Sequence, residues 1–307
     1  CIRDSLIDGP TPLHLIEAPS PGTGKTLLAS AVAILATGTE LSPTAMPKTE
    51  SEVRKKLTSL LMTSPTLVLL DNLTAALDSE SLAALLTGTA WSDRMLGQSK
   101  MVELPNRTLW IATANNPILS REMSRRTVRI RLDSDEERPW LREGFRHTNL
   151  LSWLCERRSE GLIALMTLVQ AWIAEGCPRG SVSLGSFDGW AQTIGGILEI
   201  SGVTGFLANR ADEAEIVDPE EQDWHTFVQV WLEHFGEECV SGRELLMLAQ
   251  DRRLLDFMPD KRGANSARIR FARALSKRRD RRYGAARICI QFDSHKKKNL
   301  YFLQSRR

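Results

Sequence analysis

The stretch APSPGTGKTLLAS, residues 18–30, decides how this chain is read. It follows a short apolar run, LHLIEA at 13–18, and leads into KTLLASAVAILATG, whose apolar spacing from Lys25 is helical and stops at Gly38. Strand, glycine-rich turn and helix in that order make an anion site. The first amides of a helix have no partner within it, and the helix dipole favours negative charge at that end. Gly22 and Gly24 allow the turn to fold around a phosphate, Lys25 reaches the outer phosphates of a nucleotide, and the Thr26 hydroxyl suits Mg²⁺. Pro21, Gly22, Thr23, Gly24, Lys25, Thr26 and Leu27 are therefore the expected nucleotide contacts. The rule G-x-x-x-x-G-K-[ST] asks for glycine where Pro19 stands. The amides that face phosphate come from Gly22 to Thr26, so Pro19 stiffens the exit from the strand and leaves the anion site intact.

Working outward, residues 50–62 have the spacing of an amphipathic helix. TLVLLD at 66–71 is a continuous apolar run ending in an acid, as in a strand buried on both faces of a parallel sheet. A helix is expected over 79–86, then a polar, irregular stretch, then a third strand in TLWIATANNP at 108–117. RTVRIRL at 126–132 alternates with period two, the mark of a half-exposed edge strand. Strands separated by helical segments predict an α/β fold with a doubly wound parallel sheet.

The strand ends carry the chemistry. Asp71 is placed to hold Mg²⁺ directly or through water, with helix or turn capping as its bland alternative. Asn72 follows, where a base would polarise the attacking water; an amide can orient water but cannot take its proton, and Asp78 or Glu80 are the nearby carboxylates. Asn115 and Asn116 close the third strand, where an amide could orient water beside a γ-phosphate, or simply make a polar turn before Pro117. Arg125 and Arg126 stand where an arginine could enter a neighbouring subunit's site and neutralise transition-state charge.

Past Pro139 the pattern turns helical, through WLREGF, LLSWLCERRSEGLIALMTLVQAWIAEG and FDGWAQTIGGILEISGVTGFLAN. The reading gives a nucleotide-binding core at 1–138, a helical lid at 139–210, an acidic linker at 211–222 and a final domain at 223–307. In that last part DWHTFVQVWLEHFG is an amphipathic helix, and VSGRELLMLAQ opens with Ser241 and Glu244 spaced as a capping box. NSARIRFARALSKRRDRR is a basic helix with Ile269, Ala272 and Leu275 on one side, and ARICIQF and LYFLQ form a hairpin with lysines at its tip. Helix, helix, basic helix, hairpin is the order of a winged helix.

The net charge of +2 conceals a strong asymmetry. From Lys261 to Arg307 sixteen Lys/Arg face two acids, so this tail carries +14 and residues 1–260 carry −12. Arg268, Arg270, Arg273, Lys277, Arg278, Arg279, Arg281 and Arg282, with Lys296, Lys297 and Lys298 of the hairpin, are expected to contact the phosphates of DNA. The competing use of that charge is docking onto the acidic body of the same chain. No apolar run approaches the length of a spanning helix and no signal peptide is visible, which predicts a cytoplasmic protein with no membrane partner. Five widely spaced cysteines without a C-x-x-C pair read as reduced thiols. A phosphate loop this close to a first residue that is not methionine suggests a piece of a longer chain.

PSPGTGKT, TLVLLDN, TLWIATANNP and SRRTVRIRLD stand in the order and spacing of an AAA+ ATPase, and the loop resembles that family's GPPGTGKT. The resemblance covers roughly residues 10–175. It implies a P-loop AAA+ sheet with a helical lid, ATP and Mg²⁺ as cofactors, and a homo-hexameric ring with ATP sites between subunits. It also implies Asp71 as the Walker B acid, Asn115 or Asn116 as sensor 1, and Arg125 or Arg126 as arginine finger. Asn72 departs from the family's Walker B glutamate, and no sensor 2 arginine is identified. With the basic winged helix, the chain looks like helicases and primase-associated ATPases of plasmids, phages and bacterial mobile elements, including minichromosome-maintenance-like forms. The expected function is an ATP-dependent DNA helicase in replication of such an element, with a primase or polymerase as a possible partner. The rivals are an initiator or helicase loader switched by ATP, and a transcriptional regulator whose ATPase domain gates DNA binding.

Overall fold

The computed structural model describes residues 6–7, 9–73, 77–95, 97, 100–134, 136–209, 219–255, 264–293 and 298–305. The chain divides into two compact units, Cys1–Arg210 and Ala211–Arg307.

The first unit is an α/β layer structure around a parallel five-stranded sheet. Its strands are β1 (Leu13–Ala18), β2 (Pro43–Thr44), β3 (Leu67–Leu73), β6 (Leu109–Asn115) and β7 (Thr127–Arg131), in the order β2-β3-β6-β1-β7. Near-continuous apolar sequence lets β1, β3 and β6 occupy the middle, with Leu13, Leu15, Leu69, Leu70 and Trp110 shut away from solvent. β7 is the edge strand its alternation predicts. Helices α1 (Lys25–Thr37), α2 (Glu50–Leu61) and α3 (Glu80–Thr87) connect the strands. α3 starts at Ser79, whose hydroxyl accepts the Leu82 amide as an N-cap.

The region expected to be irregular contains an antiparallel hairpin, β4 (Ala90–Arg94) and β5 (Met101–Pro105). Its alternation is masked because a polar residue points inward: Trp91 and Asp93 are both buried. Asp93 accepts hydrogen bonds from Thr58 Oγ1 and Arg54 Nε of α2, and Thr58 in turn accepts the Trp91 indole N–H. β3 also runs two residues beyond Asp71, through a register shift between Leu70 and Leu73.

A short α4 (Arg121–Ser124) precedes β7, and the helical segment holds α5 (Leu150–Glu156), α6 (Arg158–Ala174) and α7 (Asp188–Ile200). WLREGF is not an α-helix: Pro139 starts a single 3₁₀ turn over Pro139–Leu141 and the chain extends after it. Trp190 and Phe187 share one apolar cluster with Leu13, Leu15 and Trp110, so α7 is part of the core of the sheet.

The second unit contains α8 (Pro219–Phe235), β8 (Val240–Ser241), α9 (Gly242–Asp251), α10 (Ala264–Lys277), β9 (Arg282–Tyr283), β10 (Ala286–Asp293) and β11 (Lys298–Ser305). The last four strands form an antiparallel sheet, β8-β11-β10-β9. α8 opens at Pro219, inside the expected acidic linker, because proline is well suited to the first turn of a helix. The Ser241–Glu244 capping box forms, each side chain bonded to the other's backbone amide. The core gathers Trp224, Phe227, Trp231 and Phe271. The inward face of α10 is Ala267, Phe271 and Leu275, while Ile269 is exposed, so the helix is rotated from the face its sequence suggests.

Candidate functional site

The site lies at the C-terminal ends of β1, β3 and β6, where side chains and the following loops face a common edge of a parallel sheet. The loop from Ala18 ends at Gly24, the N-cap of α1, with φ +93 and open space where a Cβ would stand. Gly22 has φ +77, and a Cβ there would sit 2.7 Å from Cβ of Trp140. Only glycine allows the 3₁₀ turn at Trp140 to approach the loop this closely, while Trp140 as a whole remains 56% exposed.

Lys25 Nζ donates to the Ser20 carbonyl at 3.1 Å and to Thr23 Oγ1 at 3.2 Å, which folds the loop around its own ammonium group. Burial pushes the Lys25 ammonium below the usual lysine range, and the Asp71 carboxylate pulls it partly back up. Thr26 Oγ1 donates to Asp71 Oδ1 at 3.0 Å. Thr113 Oγ1 of β6 donates to the same oxygen at 2.7 Å and accepts the Asn72 amide at 2.8 Å. Asn72 is exposed with φ +53, and Asn116 also has positive φ, +39. Asn115 pairs with Ala18, and the Asn116 amide donates to the Ala18 carbonyl at 3.1 Å, so both asparagines stand beside the start of the loop.

Sequence reasoning missed Thr113 and a charged pair behind the loop. Glu17, with a side chain 3% exposed, is held by Arg129 at 2.6 Å and approached by Arg131 at 3.5 Å. Arg131 also reaches Asn116 Oδ1 at 3.4 Å and Asp133 at 3.2 Å. The available signal was an acid in the otherwise apolar strand LHLIEA, since a buried carboxylate requires a cation partner.

Arg125 and Arg126 are not brought to this site. They precede β7, at the opposite end of the sheet from the loop, and both pair with Glu122. Arg125 is exposed and Arg126 largely covered. Asp78 and Glu80 are exposed at the start of α3.

Of the expected phosphate-contacting residues in the second unit, Arg268, Arg273, Lys277, Arg279, Arg282 and Lys298 are exposed, and Arg270 and Arg281 are half-buried. Arg278 corrects the reading. It is 5% exposed, with its guanidinium 4.3 Å over the Trp224 ring, so its charge is spent on the core of the unit. Lys296 and Lys297 lie outside the described residues.

The loop and strand ends fit a magnesium nucleotide. Thr26 and Asp71 present hard oxygen donors within hydrogen-bonding distance of each other, the donor set Mg²⁺ accepts alongside water and phosphate oxygens. The open space at Gly24 and the N-terminus of α1, whose first amides have no partner within a helix, suit an anion. A bound Mg²⁺ would supply charge neutralisation on the phosphates. Lys25 would exchange Ser20 and Thr23 for phosphate oxygens, and Asn115 and Asn116 could orient water.

No curated protein sequence matches the chain. Two solved apo structures of the NrS-1 C terminal region share 14% and 13% identity with it; they cover 96% and 95% of this chain and 67% and 66% of their own, with TM-scores of 0.39 and 0.41. A JCV helicase structure with a bound acetamide compound has 15% identity, covers 68% of this chain and 58% of its own, and gives a TM-score of 0.29. The chain thus spans about two thirds of the length of the first two. Residues 16–135, which include Lys25, Thr26, Asp71, Thr113, Asn115 and Asn116, match the family described as ATPase family associated with various cellular activities (AAA). The glycine-rich loop, β3, β6 and β7 of the parallel sheet all lie within the segment that is similar to this family.

Proposed function

We propose that this chain is an ATP-driven DNA helicase motor acting in replication of a plasmid or mobile element. The observation that carries the reading is the joining of Lys25, Thr26 and Asp71 at one strand end, in a chain whose second unit exposes Arg268, Arg273, Lys277, Arg279 and Arg282. The first feature supports binding of MgATP; the second supports contact with a phosphate backbone. Three helices with a four-stranded antiparallel sheet, whose strand β8 lies between the first two helices, support a winged helix as the carrier of that basic surface. Arg125, far from its own chain's loop, suits a role in a neighbour's site, and a homo-hexamer would bring it there. Exposed Ile163, Met166 and Ile173 on α6 offer apolar surface for such packing. Among the described residues no helix is long and apolar enough to cross a membrane, and a cytoplasmic location belongs to the proposal. A primase or polymerase partner belongs to it as well.

Asn72 favours a second reading, an initiator or helicase loader that uses ATP chiefly to assemble, because no carboxylate follows Asp71 directly. Strand displacement on a forked duplex, with Lys25→Ala in parallel, separates the two. Unwinding that needs ATP and Lys25 supports the helicase; ATP-dependent assembly on DNA without unwinding supports the loader. ATP-independent DNA binding with neither supports the regulator.

A further inference from the structure

We propose that Thr113 is a positioning residue for the magnesium-binding acid, acting through Asp71 at a bulge in β3; this rests on the nucleotide reading above. The pairing of β3 with β6 is regular up to Leu70↔Ala112 and resumes at Leu73↔Ala114. Asp71 and Asn72 therefore stand together against one residue, Thr113. Such a two-against-one insertion costs the bulged strand a ladder hydrogen bond and re-aims its side chains.

The Thr113 hydroxyl repairs both consequences. Its lone pair accepts the Asn72 amide at 2.8 Å, replacing the lost ladder partner, and its proton goes to Asp71 Oδ1 at 2.7 Å. A hydroxyl has one proton to give, so this arrangement fixes its rotor. At 1% exposure no water competes for it. Thr26 donates to the same Oδ1 from the loop. One buried hydroxyl thus ties the backbone conformation of Asn72 to the rotamer of Asp71, and leaves the second carboxylate oxygen available to a cation. Valine has nearly the same shape and none of this chemistry.

Binding of a non-hydrolysable ATP analogue, AMP-PNP, to the full chain tests this by calorimetry with Mg²⁺ and with EDTA. Removing the hydrogen bond behind a metal ligand typically costs about 10–100-fold in metal affinity. Thr113→Val is expected to lower the Mg²⁺-dependent gain in affinity by about that factor and leave the EDTA affinity within about twofold, while Thr113→Ser restores the gain. A Thr113→Val protein that keeps the full gain overturns the proposal. An equal loss with and without Mg²⁺ also overturns it, since that would mark a purely structural role. Thermal unfolding is followed for each variant, and Thr113→Ala replaces valine if valine prevents folding. If wild type binds AMP-PNP no better than Lys25→Ala, the nucleotide reading itself fails and this inference falls with it.

Discussion

Thr26 and Asp71 are 45 residues apart in sequence and joined by a 3.0 Å hydrogen bond in the fold. The bond holds a loop hydroxyl against a strand carboxylate at the point where the proposed Mg²⁺ site would form. Asp71→Ala is expected to lower ATP hydrolysis by on the order of 10²–10³-fold while nucleotide binding in EDTA persists. Steady-state phosphate release and a binding titration, run together, check both halves.

Gly22 and Gly24 make different demands on the same loop. Alanine at either meets positive φ, a backbone penalty of about 1–2 kcal/mol. At Gly22 the new Cβ also meets the Trp140 backbone at 3.0 Å, whereas at Gly24 nothing stands within 4 Å. Chemical denaturation should show Gly22→Ala losing more stability than Gly24→Ala.

Asp93 links the hairpin to α2 and sets part of the acid response. Burial pushes its carboxyl up, but hydrogen bonds from Thr58, Arg54 and the Arg94 amide outweigh this and hold it below the ordinary carboxylate range. Burial also works against Glu50, and the Ser81 and Ser79 hydrogen bonds again win. A depressed folded pKa stabilises fully above the unfolded value of about 4 and is lost as pH falls through the lower folded value. Melting temperature should therefore be level above about pH 5 and fall below about pH 4, with a shallower fall in Asp93→Asn.

The buried pair Glu17–Arg129 supports β1 immediately before the loop. Arg129→Met leaves Glu17 with only the longer contact to Arg131 and is expected to cost about 3 kcal/mol. Urea unfolding of the single variant, with Glu17→Gln/Arg129→Met beside it, should show the double change recovering part of the loss.

Arg273 and Arg278 sit five residues apart and should fail in opposite ways. Arg273→Ala removes an exposed charge, so the salt slope of DNA binding should drop by about 1 with stability unchanged. Arg278→Ala removes the cation over Trp224, so the second unit should unfold more easily and the salt slope of the folded protein should stay as it was. A flat salt dependence in the wild type would remove the DNA-binding proposal.

Much of the sheet was legible in advance because β1, β3 and β6 are apolar runs bounded by turns, and α1 follows its loop without interruption. The hairpin over Ala90–Pro105 was not, because Asp93 breaks the apolar alternation and its burial depends on Arg54 and Thr58 of another element. α10 was read as a helix with the wrong inward face, because Ile269 and Phe271 are equally apolar and only packing against Trp224 and Phe227 chooses between them.

The sequence by itself determined the glycine turn into α1, the capping box at Ser241 and the strands that meet at the site, since turn chemistry, caps and periodicity act between near neighbours. Tertiary structure alone decided that Thr113 hydrogen-bonds Asp71 across 42 residues and that Glu17 finds Arg129 across 112. It alone also turned Arg278 inward. A buried polar group takes its role from the partner that satisfies it, and strand register and helix rotation bring that partner from elsewhere in the chain.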